Sequence, residues 1–170
     1  MKGTKKYSNS TTKKAIDTEK DPYLLKGTPK GRAVCTQCAS VYDNKRWALV
    51  SMEDAAGKAE SKDFISVLCP ACMRIKDDFP GGYVTIKGDF LREHKVELLN
   101  LVRNKEDIAR SHNPLERVMA IKEGTEGIEI TTTTEKFAQM LGKEIHKAFS
   151  AKVDYKWSAD VKMARVNCTR

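Results

Sequence analysis

No stretch of this chain of 170 residues approaches the roughly 18 consecutive apolar residues that a membrane-spanning helix needs. The N-terminal Met1-Lys2-Gly3-Thr4-Lys5-Lys6 leads into no apolar segment of the kind a secretory signal carries, so the expected compartment is the cytoplasm, where thiols stay reduced. A Gly-x-x-x-x-Gly-Lys-Ser/Thr loop is missing as well. Gly81-Gly82 and Gly142-Lys143 have neither the spacing nor the hydroxyl that would wrap phosphate in backbone amides, and nucleotide hydrolysis is unsupported. Histidine is scarce: His94, His112 and His146 fall on or just beyond expected helices, with no Ser or Cys pattern that makes a nucleophile and base. Asp77-Asp78, followed by Phe79-Pro80-Gly81-Gly82, reads as a turn rather than a cation site. No repeat or heptad array is evident. These absences leave no legible reaction, and the expected class is a binding protein rather than an enzyme.

Cysteine is sparse too, but four of the five are grouped as Cys35-Thr36-Gln37-Cys38 and Cys69-Pro70-Ala71-Cys72. A two-residue gap lets both sulfurs of a knuckle reach one ion, and two knuckles complete the tetrahedral thiolate shell that Zn²⁺ favours. Such a shell has no open position for water or substrate, so the expected zinc is structural. A thioredoxin-like motif would leave the second knuckle unexplained. Spacing alone allows an iron–sulfur cluster on the same thiolates, although zinc is the commoner occupant. Cys168, isolated near the C-terminus, is expected to be a small residue packed in a strand.

The formal charge is +8, and its placement is uneven. Residues 1–34 hold nine Lys/Arg against three acids, or +6, which leaves +2 for the remaining 136 residues. Four thiolates around one Zn²⁺ would cancel that remainder. The first 34 residues, poor in apolar side chains, therefore read as a basic arm, extended or disordered until a polyanion orders it. Lys2, Lys5, Lys6, Lys13 and Lys14 are its candidate phosphate contacts, because cations that meet phosphates gain from counterion release. Tyr7 and Tyr23 are available for base stacking.

Residues 35–80 are expected to form the zinc module, with short strands at Ser40–Tyr42 and Arg46–Val50 around an Asn44-Lys45 turn. An Ala-rich segment over 51–63 suits a helix or an excursion, and the run Phe64–Leu68 is expected to deliver Cys69 onto a tight turn limited by Pro70. Residues 81–170 form a second unit. It opens with a short strand at Tyr83–Ile86, and a helix from an Asp89 cap to about Ser111 buries Leu91, Leu98, Leu101, Val102 and Ile108. Strands at 117–121 and 127–131 come next, then a helix opened by a Thr132–Glu135 capping box and burying Phe137, Leu141, Ile145, Ala148 and Phe149. A closing hairpin spans 152–169. The fold class is thus α+β: a four-cysteine zinc ribbon followed by a four-stranded, mainly antiparallel sheet with two helices on one face. In the last hairpin Tyr155, Lys156, Trp157 and Arg165 interleave aromatic and cationic side chains, as sheets that stack bases do, although alternation alone would also give an ordinary core face. Arg46, Arg74, Lys76, Lys156 and Arg165 are the candidate orienting contacts for RNA.

In this order the pieces resemble a bacterial family of small zinc-ribbon proteins of unassigned biochemistry, sometimes labelled ATPase without a nucleotide motif. The resemblance is carried by Asp21-Pro22-Tyr23, the two knuckles, Arg46-Trp47, Gly82-Tyr83-Val84-Thr85, Asn100-Leu101-Val102-Arg103-Asn104, Pro114-Leu115-Glu116-Arg117 and Thr131 to Thr134. The chain is more distantly similar to the zinc-bearing part of the archaeal and eukaryotic Nmd-type adaptor that binds the large ribosomal subunit during maturation and export. The knuckle pattern transfers residue by residue, whereas the adaptor's further zinc pair has no counterpart in these residues. The similarity implies a ribosome- or structured-RNA-associated role, in assembly, translation or dormancy. A protein-interaction adaptor using the zinc module is the alternative.

Overall fold

A computed structural model describes Tyr23, residues 29–158 and residues 162–170. The first sheet has the order β3-β2-β1-β4, from β1 (Arg32–Cys35), β2 (Val41–Asp43), β3 (Arg46–Ala48) and β4 (Phe64–Val67). Its first strand starts at Arg32, so the last residues before Cys35 belong to this sheet. Asn44 and Lys45 close the β2–β3 hairpin with φ of 48° and 61°, the two left-handed residues that a two-residue turn needs to match strand twist. The Ala-rich segment forms helix α1 (Met52–Glu60), where the Ser51 side chain caps the Asp54 amide at 3.1 Å; only Ala55 of this helix is buried. β4 then runs parallel to β1, with Cys35 opposite Val67. Beyond it comes α2 (Pro70–Lys76), where the sequence reading expects a tight turn. Pro70 explains the difference, because its fixed φ suits the first position of a helix and its missing N–H is no loss there.

The second sheet corrects the expectation of four mainly antiparallel strands. It has five strands and is mixed, in the order β6-β7-β5-β9-β8, from β5 (Gly82–Lys87), β6 (Val118–Gly124), β7 (Gly127–Thr132), β8 (Lys152–Trp157) and β9 (Ala164–Thr169). The short strand before the long helix is its centre. β5 pairs antiparallel with β7 and parallel with β9, so Val84 lies between Ile130 and Val166, partners far away in sequence. Alternation marks β5 as a strand, but it carries no information about partners so distant. Helix α3 (Leu91–His112) links β5 to β6, and α4 (Glu135–Phe149) links β7 to β8.

Both helices pack on one face of this sheet. Val84, Ile86, Ile128, Ile130, Val166 and Cys168 meet Leu98 and Val102 of α3 and Phe137, Leu141 and Ile145 of α4 in one core. The expected stripes need small corrections. Ile108 is 49% exposed and Ala109 is buried instead, one residue and about 100° farther round α3. Ala148 is likewise exposed, and Ala138 and Gly142 take the buried positions of α4. Helix α3 has no side-chain cap; Phe90, not Asp89, stands at its start. The cap of α4 is Thr134, which accepts from the Phe137 amide at 3.2 Å. Thr132 is unavailable because it is fully buried in β7 and donates its hydroxyl to the Thr134 carbonyl at 2.9 Å.

Candidate metal centre

Parallel pairing of β1 and β4 brings the two knuckles together. After Cys35 the chain turns back through Thr36–Ala39, with the Cys35 amide donating to the Ser40 carbonyl at 2.8 Å and Ala39 in the left-handed region at φ 58°. That turn returns the Cys38 sulfur beside Cys35. Cys69 arrives next to β1, its amide donating to the Cys35 sulfur at 3.3 Å, and it caps α2 by accepting from the Cys72 amide at 3.4 Å. All four sulfurs lie within 4.8 Å of one another. Cys38 and Cys69 are 3.7 Å apart, close to the ~3.8 Å edge of a tetrahedron of thiolates at about 2.3 Å from Zn²⁺. Donor type, number, spacing and burial all fit a metal ion, and these four residues can hold one.

The residue that sequence reasoning missed is Arg117. It was legible only as a charged residue at the start of a strand and as part of the family-like Pro114–Arg117 segment. Its guanidinium reaches across from the second unit and donates to the sulfurs of Cys38 at 3.0 Å and Cys72 at 3.4 Å, with Cys69 at 3.8 Å. Nε donates to the Pro114 carbonyl at 2.7 Å, and the backbone is tied to Thr133, whose side chain accepts from the Arg117 amide at 2.9 Å. Burial works against the Arg117 charge, but the hydrogen bond to Cys38 and the field of the neighbouring sulfurs outweigh it and raise its pKa. Among the sulfurs, hydrogen bonds from Cys35 and then Cys69 hold the Cys38 thiol far below its usual value, while Cys69 is pushed up, first by its hydrogen bond with Cys35. A divalent ion on four thiolates would carry formal charge −2, and Arg117 supplies +1 against it inside the protein.

The five arm lysines, Lys2, Lys5, Lys6, Lys13 and Lys14, lie outside the described residues. Arg46 is exposed on β3, and Lys76 is exposed at the end of α2. Arg74 is buried, its guanidinium over the rings of Tyr23 at 4.7 Å and Phe79 at 5.6 Å. Lys156 and Arg165 are direct partners across β8 and β9. They lie on the sheet face away from the helices, where Arg165 sits 5.3 Å over the ring of Tyr83, and Thr85, Asn167, Lys122 and Lys152 share the face with two acids, Asp154 opposite Asn167 and Glu129 opposite Thr85 and Lys122. The alternation places Tyr155 and Trp157 on the opposite, helix-side face, yet at 37% and 57% exposure on an edge strand they are only partly covered. Cys168 is fully buried in β9, and burial pushes its thiol up to about 11. Among the described residues no helix is long and apolar enough to cross a membrane.

No family model, curated protein or solved structure matches the chain. Function must be argued from its own residues.

Proposed function

We propose that this chain is a non-enzymatic RNA- or ribosome-binding protein with one structural zinc ion on Cys35, Cys38, Cys69 and Cys72. Four thiolates, with no second type of ligand beside them among the described residues, favour zinc, and the Arg117 guanidinium against the sulfurs helps close the centre to substrate. The observation that carries the RNA reading is the cationic strand pair Lys156–Arg165 beside Tyr83 on the sheet face that no described helix covers. Arg on an aromatic ring with Lys beside it is a pairing with which exposed sheets meet phosphates and bases, and the acids of this face, Asp154 and Glu129, stand farther along the strands beside Asn167 and Thr85. The basic arm would add salt-sensitive affinity, and the resemblance to the ribosomal adaptor carries the same expectation.

Cosedimentation with ribosomes across a salt series tests this. The comparison is between the full chain, the chain without residues 1–22 and K156E/R165E; the truncation spares Tyr23, which stacks on Phe79 at 5.5 Å, and β1. Loss of either element should weaken binding and flatten its salt dependence. No cosedimentation at low salt, together with no RNA crosslinks in cells, would sink the reading. The adaptor alternative is favoured by Leu49, Met52 and Ile65, exposed at 42%, 76% and 51% on the cysteine-bearing unit. A partner that survives nuclease treatment would select it.

A further inference from the structure

A groove of about 950 Å³ runs between the cysteine-bearing unit and the second unit. One wall is the β2–β3 hairpin with Lys45 and Arg46; the other is the start of α4 with Lys136, and Lys162 before β9. Its lining also includes Pro70 and Ala71, between Cys69 and Cys72, and Leu115, Glu116 and Thr133, which flank Arg117 in sequence or bond to it. The groove is therefore built on the joint between the thiolates and Arg117.

Its charge is not shared by the rest of the body. Of the lining residues after position 34, Lys45, Arg46, Arg74, Lys136 and Lys162 against Glu116 and Glu135 give +3, with Arg74 packed on Tyr23 and Phe79. Residues 35–170 total +2, from +8 overall less +6 in residues 1–34, so the residues of this span outside the groove sum to −1. Lys30, at one end, adds a further charge. Glu135 and Lys162 are paired with each other at 3.1 Å, so the surplus rests on Lys45, Arg46, Arg74 and Lys136 against Glu116. Tyr42 and Trp47, which also line the groove, are 8% and 5% exposed and packed on each other at 5.3 Å, and Tyr23 is stacked on Phe79 at 5.5 Å with the Arg74 guanidinium 4.7 Å over its ring, so all three rings are already engaged. Cations beside rings that are already engaged suit a phosphate backbone better than bases.

We propose that this groove binds the sugar–phosphate backbone of single-stranded RNA, with little preference for sequence. The inference rests on the RNA-binding reading and names a second contact surface for it, separate from the Lys156–Arg165 face. The volume admits a strand of a few nucleotides, by comparison with ligand pockets of about 300–1,000 Å³. The strand runs between the Lys45–Arg46 hairpin and the Lys136–Lys162 wall.

The test uses the full-length protein, a fluorescein-labelled oligouridine and an oligoadenosine of equal length, with anisotropy read over a salt series. K45E/R46E and K136E/K162E should each weaken binding at least tenfold for both oligomers. Loss of two phosphate contacts should flatten the slope of log affinity against log salt by about 1.4. If both groove variants bind as the wild type while K156E/R165E loses affinity, the groove inference is overturned and the RNA reading stands. If the wild type binds neither oligomer and no ribosomes, both fall. Circular dichroism of each variant shows whether a loss comes from unfolding; the single variants R46Q and K136Q, on opposite walls, then replace a double variant that fails to fold and should each weaken binding about threefold, with unchanged affinity counting against the groove.

Discussion

The two units of this molecule are held together by different means. In the second, fifteen buried residues from three strands, two helices and the turn after α4 form one apolar core, with Phe137, Leu141 and Ile145 fully enclosed. In the first, the buried cluster has seven residues, three of which are cysteines of the candidate metal centre; Tyr42 and Trp47 are its only large side chains. So small a core contributes too little to offset the conformational entropy of its strands. The difference teaches where stability resides: apolar burial carries the second unit, whereas the first gathers four cysteines that can hold a metal ion where such a core would be.

Removing the metal should therefore have the largest effect. Structural zinc sites supply about 10–16 kcal/mol of apparent binding energy, so Cys35→Ser or a strong chelator should unfold residues 32–76, seen as loss of the near-ultraviolet signal of Trp47. Next comes Phe137→Ala. It should cost about 3–5 kcal/mol in chemical denaturation, because Phe137 is fully buried between strands and α3, and it should leave zinc content at one per chain. An equal loss of metal would mean that the two units do not differ as described.

Arg117→Met lies between the two, since Arg117 belongs to one unit and serves the other. It should lower zinc affinity about 10–100-fold in a chelator competition, with partial recovery in Arg117→Lys, which restores the charge but not the fork of donors. The smallest expected effect is at Glu144, which ties α4 to Lys105 of α3 at 2.5 Å and to Lys147 at 2.8 Å. Hydrogen bonds from Lys105 and then Lys147 lower its pKa to about 2. A depressed carboxylate stabilises the fold at neutral pH, and that contribution is lost as pH falls from the ordinary carboxylate range through about 2. Because the pair is partly exposed, Glu144→Gln should cost under about 1 kcal/mol at pH 7 and nothing near pH 2, by urea titration at both values.

How much of this was legible in the sequence follows from the range of each interaction. Ligand spacing is local, and all four cysteines converge as the Cys-x-x-Cys pairs require. The Asn44–Lys45 turn, the two long helices and the strand Lys152–Trp157 are local as well, and they stand where the pattern put them. Pairing of β5 with β9 and the reach of Arg117 to Cys38 cross 82 and 79 positions, and no periodicity within either segment encodes such a partner. The same holds for the groove, whose walls come from β2–β3 and α4. Nothing local to Lys136 or Lys162 places either in one groove with Arg46; only the fold brings them together.

Amide hydrogen exchange on the wild-type chain, with the metal present and then stripped by a chelator, tests the central claim most directly. The account predicts that amides over residues 32–76 lose protection while those of β5, β7, β9 and α4 keep theirs. Protection retained over 32–76 without metal, or lost equally in both units, would contradict it.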